Sequence, residues 1–430
     1  QKGPFQVRRI WVAYSGGVDS HVLLQRCATL RSELPEIAGA LHIHHGISAS
    51  ADQWEQHCQR VCEHLDIALT VRHVDLPEGE GLEDRARRAR YEAMQAVLQV
   101  GDVVALAQHQ DDQAETFLLQ ALRGGGPRGI SAMPAVAPLG QGALIRPLLE
   151  YSRQSIMEYA HAKQLQWVED DSNQDQRFDR NYLRHEIMPV LQARWPSAAK
   201  TLSRTAAHTA SLMRIADELL QDELKGFTGS REHTLSVKAL QSVPFAKSSL
   251  LVRALCQQQG LPMPATAQLE ELLQRQLGAE SDRQILVTWP GGEFRRYQDD
   301  LYVLRPLPEL MGKNWQYHWD GMQTLEIPEM HGCLELKPNH GAGIRKSLVT
   351  QGLVVRPRTG GERCQPEGDN HHRELKAIFQ IYQVPPWERE RLPLIFQDGE
   401  LLAVADIVVC QQASAAQGEE GYLVTWQSFD

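Results

Sequence analysis

An apolar run, Ile10-Trp11-Val12-Ala13-Tyr14, leads into Ser15-Gly16-Gly17-Val18-Asp19-Ser20 and then into a helix-forming stretch, His21 to Arg31. A strand feeding a glycine turn that opens a helix is an arrangement that binds anions. Glycine lets the backbone approach closely, and the first amides of the helix have no partner within it. The hydroxyls of Ser15 and Ser20 add possible donors to phosphate oxygens. No G-x-x-x-x-G-K-[ST] segment occurs in the chain, so the lysine-bearing phosphate loop is excluded.

Around this turn the first half alternates strand and helix. Strands are predicted at 9–14, 39–44, 68–74 and 102–107, and helices at 19–31, 51–65, 82–99 and 111–122. Such alternation implies an α/β fold, a doubly wound parallel sheet with helices on both faces and ligands beyond the carboxyl ends of its strands. The loops at Ser15, His44 and Ala107 therefore open onto one edge. After Ile145 the pattern turns helical, with a Ser152 N-cap before a helix to Lys163, a helix from Asp179 toward Pro196, and a long helix over 197–225. Domains are expected at 1–215 (catalytic), 216–310 (small and mostly helical) and 351–430 (compact α+β). Residues 311–350, rich in Pro, Gly and His, read as a connecting region.

The chain of 430 residues carries a net charge of −10, which by itself disfavours a nucleic-acid partner. Within 1–215, however, 20 of 23 basic residues are arginines, whose planar fork suits phosphate. No apolar run approaches a membrane span, and no signal-peptide pattern stands at the start, although Gln1 in place of Met is consistent with trimming. The seven cysteines are scattered and form no C-x-x-C, which argues against a disulfide framework or a zinc site and for a reducing cytoplasm.

Asp112 and Glu115 follow the strand ending at Ala107 and share a helix face, three residues apart. Beside a nucleotide loop they could hold Mg²⁺ or take a proton from an amine. Asp111 reads as the helix N-cap, and His109 completes the cluster. Arg123-Gly124-Gly125-Gly126-Pro127-Arg128-Gly129 follows a helix rather than a strand. A mobile loop with Arg123 and Arg128 facing phosphate is one reading, and a structural glycine turn is nearly as good. His42, His44 and His45 end the second strand, but no acid or cysteine stands at ligand spacing. His45 is expected on the nucleotide and His42 in the core. Arg87 and Arg90, and Arg180 and Arg184, lie on basic helix faces near tyrosines, which suit phosphate and base stacking, although a charge run is usually a solvated face.

Taken together, these segments resemble the bacterial tRNA(Ile)-lysidine synthetase family within the PP-loop N-type ATP pyrophosphatases. The matching pieces include SGGVDS (15–20), HIHHGIS (42–48), RARRARY (85–91), AQHQDDQAETFLL (107–119), RGGGPRGISAM (123–133), EDDSNQD (169–175) and RNYLRHEIMPVL (181–192). The tail adds RPRTGGER (356–363) and LKAIFQIYQVPPWERERLPLIF (375–396).

The resemblance implies ATP and Mg²⁺ as cofactors. It implies L-lysine and the isoleucine tRNA with a CAU anticodon as partners, and an adenylated wobble cytidine as intermediate. Ser15, Gly16, Gly17, Val18, Asp19, Ser20, His45 and His109 would bind ATP, with Asp19, Asp112 and Glu115 on the metal. Asp111, Asp112 and Glu115 all qualify to accept the lysine proton. Arg90, Arg128, Arg180 and Arg184, and in the tail Arg356, Arg358, Arg363, Arg373 and Lys376, would contact tRNA, while Trp387 either packs the domain or stacks on a base, with core packing preferred. A homodimer is one assembly open to such a chain. Among rivals, a tRNA thiolase lacks its paired cysteines here and an amidating synthetase lacks a glutaminase nucleophile. A non-catalytic tRNA chaperone leaves Asp112 and Glu115 unexplained.

Overall fold

The computed structural model of the chain describes residues 7–44, 46, 50–74, 82–169, 175–278, 285–312 and 314–429; His45 and the acidic stretch 170–174 lie outside the described residues. The chain divides into two compact units, Gln1–Glu218 and Leu219–Asp430.

The first unit is built on a six-stranded sheet of order β3-β2-β1-β4-β6-β5. Its strands are β1 (Arg9–Ala13), β2 (Glu36–His44), β3 (Leu69–His73), β4 (Asp102–Ala105), β5 (Val136–Leu139) and β6 (Gly142–Ile145). β1 alternates strictly. Ile10 and Val12 point to a core shared with α1 (Val18–Thr29), α2 (Ala51–His64) and, through Ile156 and Ala160, the later helix α6. On the opposite face Trp11 and Ala13 meet Met94 of α3 (Leu82–Gln95), together with Leu98, Leu41 and Val104. Both faces are thus covered, as a parallel sheet requires. Burying a side chain as completely as Val12 or Leu24 contributes about 1.5–3 kcal/mol. β5 alone is antiparallel, paired to β6 across a turn at Gly140, so the sheet is mixed at that edge. The hairpin leaves little trace in the sequence because its strands are four residues long.

The chain leaves β1 for β2 on one side while β4 lies on the other, paired to β1 in parallel. Between their carboxyl ends lies the crevice in which doubly wound sheets hold ligands. α1 starts there after β1, and α4 (Gln110–Leu122) after β4. The unit continues with α5 (Gly126–Ile130), α6 (Arg153–Ala162, its N-cap Ser152 accepting from the Ser155 amide) and a run over 179–194. That run is α7 (Asp179–Tyr182), a π-helical turn (Leu183–Ile187) and α8 (Met188–Arg194), after which comes α9 (Ala198–Leu224). Ala114, Met188 and Ala199 join α4, α8 and α9 in a small apolar cluster of their own.

In the second unit, α10 (Val237–Gln241), α11 (Phe245–Gln258) and α12 (Thr266–Glu270) pack on an antiparallel sheet. Its strands are β7 (Thr234–Ser236), β8 (Leu286–Trp289), β9 (Gly292–Tyr297) and β10 (Asp300–Leu304), in the order β7-β10-β9-β8. The shared core includes Leu235, Leu251, Leu255, Phe294 and Leu301. Residues 311–350, expected to form a connector, instead carry four strands, at 317–319, 325–327, 332–340 and 344–345. The longest pairs with 420–428, far along the chain, so no local pattern announces it. The tail helix is Leu375–Ile381, starting directly after 373–374, which pair with 363–364. Cys364 and Cys410, buried and 46 residues apart, are joined by a disulfide that scattered spacing does not foretell.

Candidate functional site

The turn after β1 closes on itself. Ser20 Oγ donates to the Gly17 carbonyl at 2.9 Å and accepts from the Ser15 amide at 3.2 Å, and the two hydroxyls lie 3.1 Å apart. These side chains therefore shape the loop, while the first amides of α1 are left to meet an anion. Gly16 has φ +88°, and a Cβ there would stand 2.8 Å from Val168 Cγ2. Gly17 is different, since its φ of −73° suits any residue.

Asp19, in the first turn of α1, has a buried Oδ1 with no hydrogen-bond partner among the described residues. Burial pushes its carboxyl above the usual range, against the pull of His109. His109 Nε2 is 3.8 Å from Asp19 Oδ2, which links the loop after β1 to the start of α4. His109, not Asp111, is the N-cap of α4: its ring faces the Asp112 amide, and Asp112 Oδ2 takes the His109 amide at 3.0 Å. Asp111 Oδ2 accepts instead from the Arg153 amide at 2.8 Å, at the start of α6.

The face shared by Asp112 and Glu115 meets Arg180 and Arg184. Arg184 Nε and Nη2 donate to the two oxygens of Glu115 at 2.7 and 2.9 Å, and Arg180 Nε donates to Glu115 Oε2 at 3.0 Å. Asp112 Oδ1 accepts from Arg180 Nη2 at 3.0 Å and Arg184 Nη2 at 2.9 Å. Glu115 is 2% exposed while Arg180 and Arg184 reach the surface, and two charges of each sign cancel. Burial alone would raise the Asp112 carboxyl, but His109, Arg180 and Arg184 outweigh it and hold it below the ordinary range. The π-helical turn carries Arg184, and such turns are frequent at functional sites.

Two matched spacings signal the pairing, acids three apart and arginines four apart, but nothing local in the sequence connects them. The pairing also alters what Asp112 and Glu115 can do, since both Glu115 oxygens and Asp112 Oδ1 already accept from guanidinium. Asp19 fits an oxygen-seeking cation better: it offers a buried, unpartnered carboxylate oxygen at the phosphate loop, and Mg²⁺ needs few protein ligands besides phosphates.

The glycine segment 124–129 includes α5 rather than an open loop. A Cβ on Gly125 would stand 2.9 Å from the Gln120 carbonyl, and Arg123 and Arg128 pair with Asp179 and Asp217. His42 is structural, its Nδ1 2.9 Å from the Tyr14 carbonyl. Arg90 lies on the exposed face of α3, where its neighbour Tyr91 stacks under Arg87.

Of the tail cations, Arg356 stacks over Phe396 at 3.9 Å and Arg358 over Phe379 at 5.6 Å, both near Glu362. Arg373 is held by Asp369 at 2.6 Å, whereas Arg363 and Lys376 are exposed. Trp387, half-buried, packs edge to face with Tyr302 and under Arg295, so its ring contacts lie on the 216–310 segment rather than within its own 351–430 domain.

A closed glycine turn at the sheet's switch point, an aspartate with one oxygen unpartnered among the described residues and a carboxylate–arginine quartet define a PP-loop nucleotide-binding protein. The family model described as the PP-loop domain matches residues 1–191, that of the TilS substrate binding domain 235–302, and that of the TilS substrate C-terminal domain 353–426. A tRNA(Ile)-lysidine synthase of Coxiella burnetii is 38% identical over 97% of this chain and 92% of its own length. Others from Yersinia pseudotuberculosis (38%, 97% and 96%) and Escherichia coli O157:H7 (40%, 98% and 96%) align as fully. The chain belongs to the tRNA(Ile)-lysidine synthase family.

Proposed function

We propose that this chain uses ATP to join L-lysine to C2 of the wobble cytidine in the isoleucine tRNA with a CAU anticodon. The observation that carries this reading is the match to tRNA(Ile)-lysidine synthases over 97–98% of the chain. The C2 carbonyl oxygen of cytosine is a poor leaving group. Attack of that oxygen on the α-phosphate of ATP expels pyrophosphate and converts it into a good one. The lysine ε-amine then adds at C2 and AMP departs. The modified base pairs with A rather than G, which shifts reading from AUG to AUA.

In this scheme the amides of Val18 to Ser20, the first of α1, cradle the departing pyrophosphate. Asp19 would hold Mg²⁺, which when bound supplies positive charge to the phosphates. His109 orients Asp19 across the switch point. Asp112 and Glu115 hold Arg180 and Arg184 at the mouth, where a tRNA phosphate can draw on either guanidinium. Only once the arginines turn outward do these carboxylates become available to the metal.

Lysine must lose a proton against a normal pKa near 10.4. Of the three candidate acceptors, Asp111 accepts from a backbone amide rather than from a guanidinium, so we assign the proton to Asp111. No helix among the described residues is long and apolar enough to cross a membrane.

Incubation with ATP, labelled lysine and total tRNA should release AMP and place label in one tRNA species. Label that never enters tRNA, with sulfide or ammonia reacting in its place, would overturn the reading.

A further inference from the structure

A histidine pair flanked by carboxylates has no part in the lysine-transfer scheme. His44 and His73 end neighbouring parallel strands β2 and β3 and are register partners. Their ring centroids are 4.7 Å apart at an interplanar angle of 47°. α2 brings Asp52 and Glu55, three residues apart, to the same place. Asp52 Oδ1 is 3.2 Å from His44 Nε2, and Glu55 Oε2 is 3.8 Å from His73 Nε2. One ligand atom from each of His44, Glu55 and His73 lies within 4.8 Å of the other two. The sequence shows only His42 and His44 on one strand face. The second imidazole and the acids arrive from the next strand and the next helix.

We propose that His44, Glu55 and His73 bind a divalent transition-metal ion of the zinc class, at a site distinct from the Asp19 phosphate site. Two imidazoles and one carboxylate are a borderline nitrogen–oxygen set that suits zinc and its neighbours, whereas Mg²⁺ prefers oxygen throughout. Bonds of about 2.0–2.2 Å require the three atoms to draw in by roughly 1 Å. The side chains can make that move: His73 is 67% exposed and Glu55 32%, while His44, 11% exposed, is the fixed anchor. Asp52 supplies a second carboxylate beside His44, the kind of partner that orients a metal-bound imidazole. Three protein ligands leave a fourth position to water. A bound ion would pin the carboxyl ends of β2 and β3 to α2 at the sheet edge.

The test titrates the full chain with Co²⁺ and Zn²⁺ in excess Mg²⁺, which keeps the phosphate site occupied. The expected result is one Co²⁺ per chain with tetrahedral absorption and no thiolate charge-transfer band, and a Zn²⁺-dependent rise in thermal midpoint. His73→Ala and Glu55→Gln, both at exposed or half-exposed positions, should each weaken metal binding at least tenfold, with circular dichroism and MgATP binding unchanged. Absence of stoichiometric binding at micromolar metal would overturn the proposal. So would a thiolate band, or binding indifferent to both substitutions.

Discussion

Arg184 grips Glu115 with both arms of its guanidinium, Nε to Oε1 at 2.7 Å and Nη2 to Oε2 at 2.9 Å, around a carboxylate that is 2% exposed. The contact joins the helix that follows β4 to the helical run 69 residues later, so it fastens the mouth of the crevice. Removing either partner strands the other charge in a poorly solvated place. Glu115→Gln should therefore cost about 3–5 kcal/mol, read from the urea midpoint of the transition that MgATP shifts. Arg184→Lys should not preserve stability, because an ammonium cannot span both oxygens and reach Asp112 Oδ1 as well. A Lys variant as stable as the parent would show that net charge, not the fork, holds the mouth.

Asp19 presents the opposite electrostatic case. Burial raises its folded pKa above the unfolded value, so the folded state holds the proton more tightly and stability declines as pH rises through that pKa. Asp19→Asn should then melt higher than the parent at pH 8, with the difference vanishing toward pH 4, while adenylation is lost. Equal melting at pH 8 would mean that Asp19 is ionised without penalty.

The two glycines of the loop separate fold from ligand. Gly16→Ala combines φ +88° with a Cβ 2.8 Å from Val168, so it should destabilise the unit by about 1–3 kcal/mol. At Gly17, φ is −73° and the nearest atom to an added Cβ is Ser15 Oγ at 3.5 Å. Gly17→Ala should melt like the parent, yet raise KM for ATP because a methyl intrudes where the phosphate approaches. Unchanged ATP kinetics in Gly17→Ala would place the phosphate elsewhere.

What was legible in the sequence follows the range of the interactions. The loop at Ser15–Ser20 is readable because a strand, two glycines and a helix start are all local, and Asp112 and Glu115 because helical spacing puts them on one face. Arg180 and Arg184 are paired with them across 65 to 72 residues, so the arginines read as nucleic-acid contacts while their acidic partners go unseen. His109 as N-cap is hidden for another reason: Asp111 is the commoner capping type, but it is the backbone turn after β4 that selects the position. Within 311–350 only 325–327 pairs locally, with 332–334; strands 317–319, 332–340 and 344–345 depend on 353–356 and 420–428, which no local periodicity records.

Asp111 tests the division of the reaction into halves. Its Oδ2 takes the Arg153 amide, a bond that Asn can keep through its own carbonyl. Asp111→Asn should leave ATP–pyrophosphate exchange in the presence of tRNA near the parental rate, and slow transfer of lysine by about 10²–10⁴-fold. The loss should shrink as pH rises toward the free amine's pKa. Slowing of both halves together would remove Asp111 from the second step and give it a place in the ATP site.

The tail cations differ in how free they are to meet phosphate, and salt can tell them apart. Arg363 and Lys376 are exposed, whereas Arg373 is engaged by Asp369 at 2.6 Å and Arg356 lies over Phe396. Deleting a cation that neutralises one phosphate lowers the slope of log affinity against log salt by nearly one. Arg363→Ala and Lys376→Ala should each flatten the slope for tRNA by about that amount. Arg373→Ala should change it less, since Asp369 already neutralises that charge. Arg356→Ala should instead lower the thermal midpoint, because the ring of Phe396 is left without its stacked guanidinium. A greater flattening at Arg373 than at Arg363 would mean that tRNA displaces Asp369, and that the ion pair is part of the binding surface rather than withdrawn from it.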